Sequence, residues 1–177
     1  MQDIYARARQ IRLAIFDVDG VLTDGSLVYS GAGGELKVFN VLDGHGMKLL
    51  QESGVALAVI TSRSSRAVEE RMRNLAIDHL FQGAQDKLTA FRELTARLGL
   101  PAAAVSHIGD DLQDLPVMTR CGLAATVPNA PASVRRHAHY ITRAGGGRGA
   151  ARELCELIMH AQGSLAPRIA AFTGATG

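Results

Sequence analysis

Residues 13–16, Leu-Ala-Ile-Phe, are apolar without alternation and run straight into Asp17-Val18-Asp19-Gly20. A strand with one wetted face alternates apolar and polar side chains, so an unbroken apolar run points to a parallel strand covered on both faces. Open parallel sheets gather their ligands at the carboxyl ends of the strands. Two carboxylates at such a tip carry a cost, because a buried unpaired charge needs a cation, a metal or a shifted pKa to relieve it. Asp17 and Asp19 therefore point to a metal site, a catalytic pair, or both. The structural alternative is a glycine-bounded turn in which the aspartates cap the next element.

The remaining pattern is of one kind. A short amphipathic helix is expected within residues 1–12, and a β-hairpin over 27–41 around Gly31-Ala32-Gly33-Gly34. Helices are expected over 46–53, 65–75, 86–98 and 148–161, the third closed by Gly99 with Pro101 beyond it. Strands are expected over 55–60, 79–83, 105–108, 123–127 and 139–142. Strands alternating with helices imply a three-layer, Rossmann-like α/β fold around a largely parallel sheet, with the hairpin projecting from it. Residues 1–162 read as one domain, and the small, weakly polar stretch 163–177 as a mobile tail.

A chain of 177 residues buries roughly 70% of its unfolded surface on folding, enough to dispense with disulfides. Cys121 and Cys155 are isolated in sequence, which suits a reduced cytoplasmic protein. The first residues carry Asp3, Arg7, Arg9 and Arg12 and do not form a secretory signal, and no apolar run approaches a membrane span. A net charge of +2 with few aromatics argues against a nucleic-acid surface. A small molecule is the expected partner.

Three strand tips carry polar groups: Asp17 and Asp19, then Thr61-Ser62-Arg63, then Asp110 and Asp111. In a parallel sheet these tips share one edge, and Lys87 opens the helix before the third. A lysine there is slightly unfavourable against the helix dipole, which favours a functional reason over a surface one. Carboxylates, a hydroxyl and an ammonium are the parts required for phosphoryl transfer through an aspartyl phosphate. One carboxylate attacks phosphorus, a hard cation and the ammonium neutralise charge, and a second acid moves protons.

In this order the residues resemble the haloacid dehalogenase superfamily, with its Asp-x-Asp-Gly first motif, over residues 15–114. The resemblance implies that Asp17 is the nucleophile, Asp19 the general acid and base, Thr61 a phosphoryl ligand and Lys87 the charge stabiliser. It further implies Mg²⁺ held by Asp17, the backbone carbonyl of Asp19, and Asp110, with Asp111 and Asp114 behind them. The stretches Gly33-Gly34-Glu35-Leu36-Lys37-Val38-Phe39, Asp43-Gly44-His45-Gly46, Gln82-Gly83-Ala84-Gln85-Asp86-Lys87, Gly109-Asp110-Asp111-Leu112-Gln113-Asp114 and Gly146-Gly147-Arg148-Gly149 carry a narrower resemblance. It is to the 3-deoxy-D-manno-octulosonate 8-phosphate phosphatase family, and it covers nearly all of residues 15–163.

That family implies a sugar-acid phosphatase of lipopolysaccharide precursor synthesis. It also implies no inserted cap domain, and a homotetramer built on the hairpin, whose neighbouring subunit covers the site. Substrate contacts would come from Asp19, the loop Asn40 to Gly44 with Asp43, and Ser62, Arg63, Arg71 and Lys87. Arg71 also has an ordinary reading as a solvated helix charge, and His45 as a loop histidine. Ser62 departs from the usual Thr-Gly-Arg or Ser-Gly-Arg, placing a side chain where backbone usually nears phosphate. The remaining histidines lack metal-ligand spacing, so zinc is not implied.

Three other readings compete. A related nonulosonate phosphate could be the substrate, or the same fold could serve as a regulatory module. Gly145-x-Gly147-x-x-Ala150 loosely matches a dinucleotide fingerprint, though no acidic residue follows Glu156 to play its usual ribose-binding part.

Overall fold

The computed structural model describes residues 2–31 and 34–174. In chain order the elements begin with α1 (Gln2–Arg9), β1 (Leu13–Phe16), β2 (Val28–Ser30), β3 (Gly34–Leu36), α2 (Val41–Glu52) and β4 (Ala56–Ile60). Next come α3 (Arg66–Leu75), β5 (His79–Phe81), α4 (Lys87–Leu98), β6 (Val105–Ile108), α5 (Leu115–Met118) and β7 (Leu123–Thr126). The chain continues through α6 (Ala132–Arg135), β8 (Tyr140–Ile141), α7 (Ala150–Ala161) and α8 (Leu165–Thr173).

Six strands form one sheet in the order β5-β4-β1-β6-β7-β8, every pair parallel. β1 lies inside it, all four residues fully buried, which is why its sequence shows no polar face. Phe16 pairs with Val59 on one side and Ile108 on the other. Asp17 therefore leaves the sheet level with Ile60 and Gly109, and Thr61 and Asp110 follow one residue later on the same edge. Helices α1, α2 and α7 pack together, and α4 packs with α5. The hairpin β2–β3 is antiparallel and separate from the main sheet; Ala32 and Gly33 of its expected turn lie outside the described residues.

Two expectations need correction. Helix α2 starts at Val41, not at residue 46, because the Asn40 side chain accepts from the Leu42 amide at 2.7 Å and caps it. Gly44 and Gly46, poor helix formers, concealed this start. They are tolerated because side chains there would collide with Arg71 and Arg152 of the packed neighbours. His45 is accordingly helical, stacked edge-on against Phe172. The tail beyond residue 162 contains α8, where Arg168 pairs with Glu52 at 2.8 Å. Ala166, Ala170 and Ala171 favour helix, and Pro167 stands in the first turn, where its missing N–H costs nothing.

The glycine loop before α7 is filled by the chain itself. Gly147 donates to the Val21 carbonyl at 2.8 Å, and side chains at Gly146 or Gly147 would strike the backbone of Gly20, Thr23 and Asp24. The space that a dinucleotide pyrophosphate needs over this turn is occupied by the backbone of residues 20–24. Replacing Gly146 with Ala should therefore destabilise the protein by about 1–3 kcal/mol, read from urea unfolding. An unchanged midpoint would show that the two loops do not brace each other.

Candidate active site

Asp17, Asp19, Thr61, Ser62, Arg63, Lys87, Asp110, Asp111 and Asp114 line one open cavity of about 390 Å³ at the carboxyl edge of the sheet. The Asp17 amide donates to the Ile108 carbonyl at 3.0 Å, continuing the β1–β6 ladder. Thr61 is held at both backbone groups: its amide donates to Phe81 at 2.9 Å, and its carbonyl accepts from Ala84 at 3.0 Å. The second bond draws the loop before α4 inward. Asp86 caps α4 by accepting from the Leu88 and Thr89 amides at 3.0 and 3.2 Å. Lys87 thereby enters the interior as the first helical residue, only 3% exposed.

Its ammonium lies 3.0 Å from Asp17 Oδ1 and 2.7 Å from Asp114 Oδ1. Burial alone would lower its pKa, but the charges of Asp17 and Asp114 raise it above the ordinary value. Asp114 is fully buried and accepts from four donors. They are the Lys87 ammonium, His107 Nε2 at 2.9 Å, and the Asp110 and Asp111 amides, each at 3.2 Å. Burial pushes the Asp114 carboxyl up, yet the His107 and Lys87 contacts outweigh it and hold the group below the usual range.

Asp17 and Asp110 show the opposite balance. Burial and the charge of Asp114 raise Asp17 to about 7 and Asp110 to about 6, with Lys87 opposing both. Oxygens of Asp17, Asp110 and Asp114 lie within 4.8 Å of one another. Asp114 has its acceptor positions filled, and Lys87 alone does not offset the remaining pair, Asp17 and Asp110. A hard, oxygen-seeking divalent cation fits that deficit. Gly20, at φ +87°, is required beside it, because any side chain there would strike the Asp110 carboxylate.

Asp19 faces the hairpin. Its Oδ1 pairs with Lys37, which also lies 2.6 Å from Glu35, while Arg63 binds Glu35 at 2.5 Å and approaches Asp19 Oδ2 at 3.8 Å. Asp19 Oδ2 is buried with no hydrogen-bond partner among the described residues. Ser62 donates to Gln113 at 2.5 Å and so lies against the loop after β6.

A model of the haloacid dehalogenase-like hydrolases matches residues 79–154. The chain is 47% identical to 3-deoxy-D-manno-octulosonate 8-phosphate phosphatase of Yersinia pestis over 99% of its own length and 90% of the relative's. The chain belongs to that phosphatase family. The enzyme of that name from Moraxella catarrhalis, solved with magnesium, phosphate and KDO, superposes with a TM-score of 0.96 at 45% identity. That match covers 97% of this chain and 99% of the other. The cobalt-bound Haemophilus influenzae phosphatase superposes at 0.90 and 36% identity, covering 96% and 99%.

Four residues expected at the substrate do not line this cavity. Asn40, Asp43, Gly44 and Arg71 meet around a small apolar recess between α2 and α3, beside the cavity. Asp43 is buried and accepts from the Gly149 and Arg152 amides at 3.2 and 2.8 Å, fastening the start of α7. Arg71 donates to the Asn40 carbonyl at 3.1 Å and covers the Phe39 ring, so it is not a solvated charge. Residues 40–44 are cap and first helical turns, where spacing had suggested a loop. Lys37, Glu35 and Gln113 stand in stretches that carry the narrower resemblance, and His107 among the histidines without metal-ligand spacing, but none of the four had a site role. Of these, only His107 left a sign, as a large polar ring in a run expected to be a buried strand.

The raised carboxyls make stability depend on cation and pH together. Between about pH 4, where unfolded carboxyls titrate, and about pH 7, the native protein retains protons on Asp17 and Asp110 that the unfolded chain has lost. Without a cation, this pair's contribution to stability falls as pH rises through that window. Mg²⁺ should therefore raise Tm more at pH 8 than at pH 5 in thermal melts of chelator-treated protein. Equal shifts at both values would exclude Asp17 and Asp110 as the cation site.

Proposed function

We propose that the protein is a Mg²⁺-dependent phosphoric monoester hydrolase that converts 3-deoxy-D-manno-octulosonate 8-phosphate to the free sugar acid and phosphate. The observation that carries this reading is the buried Lys87 ammonium against Asp17, beside Asp110, at the floor of a cavity in a chain so close to named phosphatases. The Moraxella catarrhalis enzyme was solved with magnesium, and the Asp17 and Asp110 carboxylates fit that ion here. Bound there with the Asp19 carbonyl, it would neutralise charge on the phosphoryl oxygens.

The residues of the chain divide the chemistry. A carboxylate oxygen of Asp17 attacks phosphorus and the bond to the sugar oxygen breaks, giving an aspartyl phosphate. Asp19 delivers a proton to the departing oxygen, then takes one from the water that attacks phosphorus. Phosphate leaves, and Asp17 is a free carboxylate again. Lys87 and Thr61 hold the equatorial oxygens while charge builds on them. Asp19 suits its part because Lys37 fixes one oxygen and leaves the other, Oδ2, without a hydrogen bond. Arg63 at the cavity mouth supplies a planar cation for the sugar carboxylate.

The cavity is open, and exposed Leu27, Val28, Tyr29, Leu36, Val38, Val41 and Leu42 cluster along the hairpin and the start of α2. Exposed apolar side chains in such number suit burial against a second copy. Tetramer assembly would cover both them and the site. The two thiols are buried and unpaired among the described residues, as isolated cysteines of a reduced cytoplasmic protein would be.

Phosphate release from a panel of sugar phosphates, related nonulosonate phosphates among them, tests the substrate. The 3-deoxy-D-manno-octulosonate ester should give the highest kcat/KM, and chelator should abolish turnover. Asp17→Asn should lower kcat at least about 1,000-fold. Full activity of that variant would refute the covalent route, and turnover indifferent to divalent cations would refute the metal. Light scattering should give the mass of four chains, and Val38→Asp should shift it downward. A monomeric unsubstituted protein would remove the subunit cap.

A further inference from the structure

His107 stands within β6, fully buried, where its neighbours Val105 and Ile108 supply the apolar packing expected of a central strand. An imidazole in such a place gives up its hydration and needs a bond in return. Nε2 has one, 2.9 Å from Asp114 Oδ1, whereas Nδ1 has no partner among the described residues. Asp114 already receives two amides and an ammonium, so it is an ionised acceptor. The ring must therefore donate, and its proton sits on Nε2.

The four bonds divide evenly. Oδ2 takes the amides of Asp110 and Asp111, while Oδ1 takes Lys87 and His107. Gly109 lies so close that any side chain there would strike the Asp114 carboxylate, so the backbone around it is already packed. The remaining freedom is the twist of the carboxylate plane and the wandering of the flexible Lys87 ammonium along it. His107 is the rigid donor that limits both.

Resting on the phosphatase reading above, we propose that His107 is a positioning residue. Its Nε2–H fixes the Asp114 carboxylate, which in turn aims the Lys87 ammonium at Asp17 and holds the Asp110–Asp111 turn in place. His107 touches neither substrate nor the cation-binding carboxylates; it acts through Asp114.

Partners of this kind behind a metal site are typically worth 10–100-fold in activity or metal affinity. His107→Phe keeps a ring of similar volume and removes the donor; it should lower kcat by about 10–100-fold with KM changed less than about threefold. His107→Gln restores an N–H at similar reach and should recover most of the loss. A purely structural role predicts the reverse order, since phenylalanine suits an apolar strand better than glutamine. Wild-type kcat in His107→Phe, or lower kcat in His107→Gln than in His107→Phe, would overturn the proposal. Long-range ¹H–¹⁵N NMR of the unsubstituted protein needs no variant to fold. It should show the proton on Nε2 with a bare Nδ1, and the Nδ1–H tautomer would equally overturn it. An unsubstituted protein that releases no phosphate would overturn the phosphatase reading itself, a result distinct from an active protein indifferent to His107.

Discussion

One ammonium among two buried carboxylates and a half-buried third sets the terms for the rest of this site. Lys87 lies between Asp17 and Asp114, with Asp110 close by. Breaking a buried pair of this kind by losing one partner costs about 3–5 kcal/mol, because the remaining charge is left uncompensated. One lysine cannot balance three acids, and the shortfall falls on Asp17 and Asp110, whose carboxyls are both raised. The group that is satisfied, Asp114, is the one with amides, ammonium and imidazole around it. The same electrostatic imbalance thus separates a braced acid from two acids in need of a cation.

The hairpin continues this pattern outward. Lys37 and Arg63 place two cations between Asp19 and Glu35, and both acids come from segments that project from the sheet edge. Glu35 is held below the ordinary carboxylate range by hydrogen bonds from Lys37 and then Arg63. The floor of the cavity is short of positive charge, whereas beside the hairpin two cations balance two acids.

Much of the fold was readable because its central strands are apolar on both faces. The run 13–16, the run 55–60 and the Gly109-Asp110-Asp111 tip declared a parallel sheet and the edge where its chemistry gathers. Helix α2 was misjudged at its start because Gly44 and Gly46 are poor helix formers, kept by close approaches of Arg71 and Arg152 that no local pattern reveals. The stretch 40–44 is not a loop either: Asn40 and Asp43 serve as helix caps, Asp43 for a helix more than one hundred residues away. Helix α8 was hidden by a small-residue composition that suits a mobile end and an alanine-rich helix equally well.

The sequence by itself determined the sheet, the order of its strands along the chain, and the residue types that converge at its edge. Those follow from hydrophobic periodicity and from the high cost of placing acids at buried strand ends. Only the tertiary structure decided which acid is braced and which pair is left short of charge, because that depends on distances between residues 17, 87, 107, 110 and 114. It also decided that Lys37 reaches Asp19, that the glycine loop before α7 packs on the catalytic turn, and that His107 faces Asp114. Periodicity is a property of neighbours along the chain, whereas hydrogen bonds and desolvation are properties of neighbours in space.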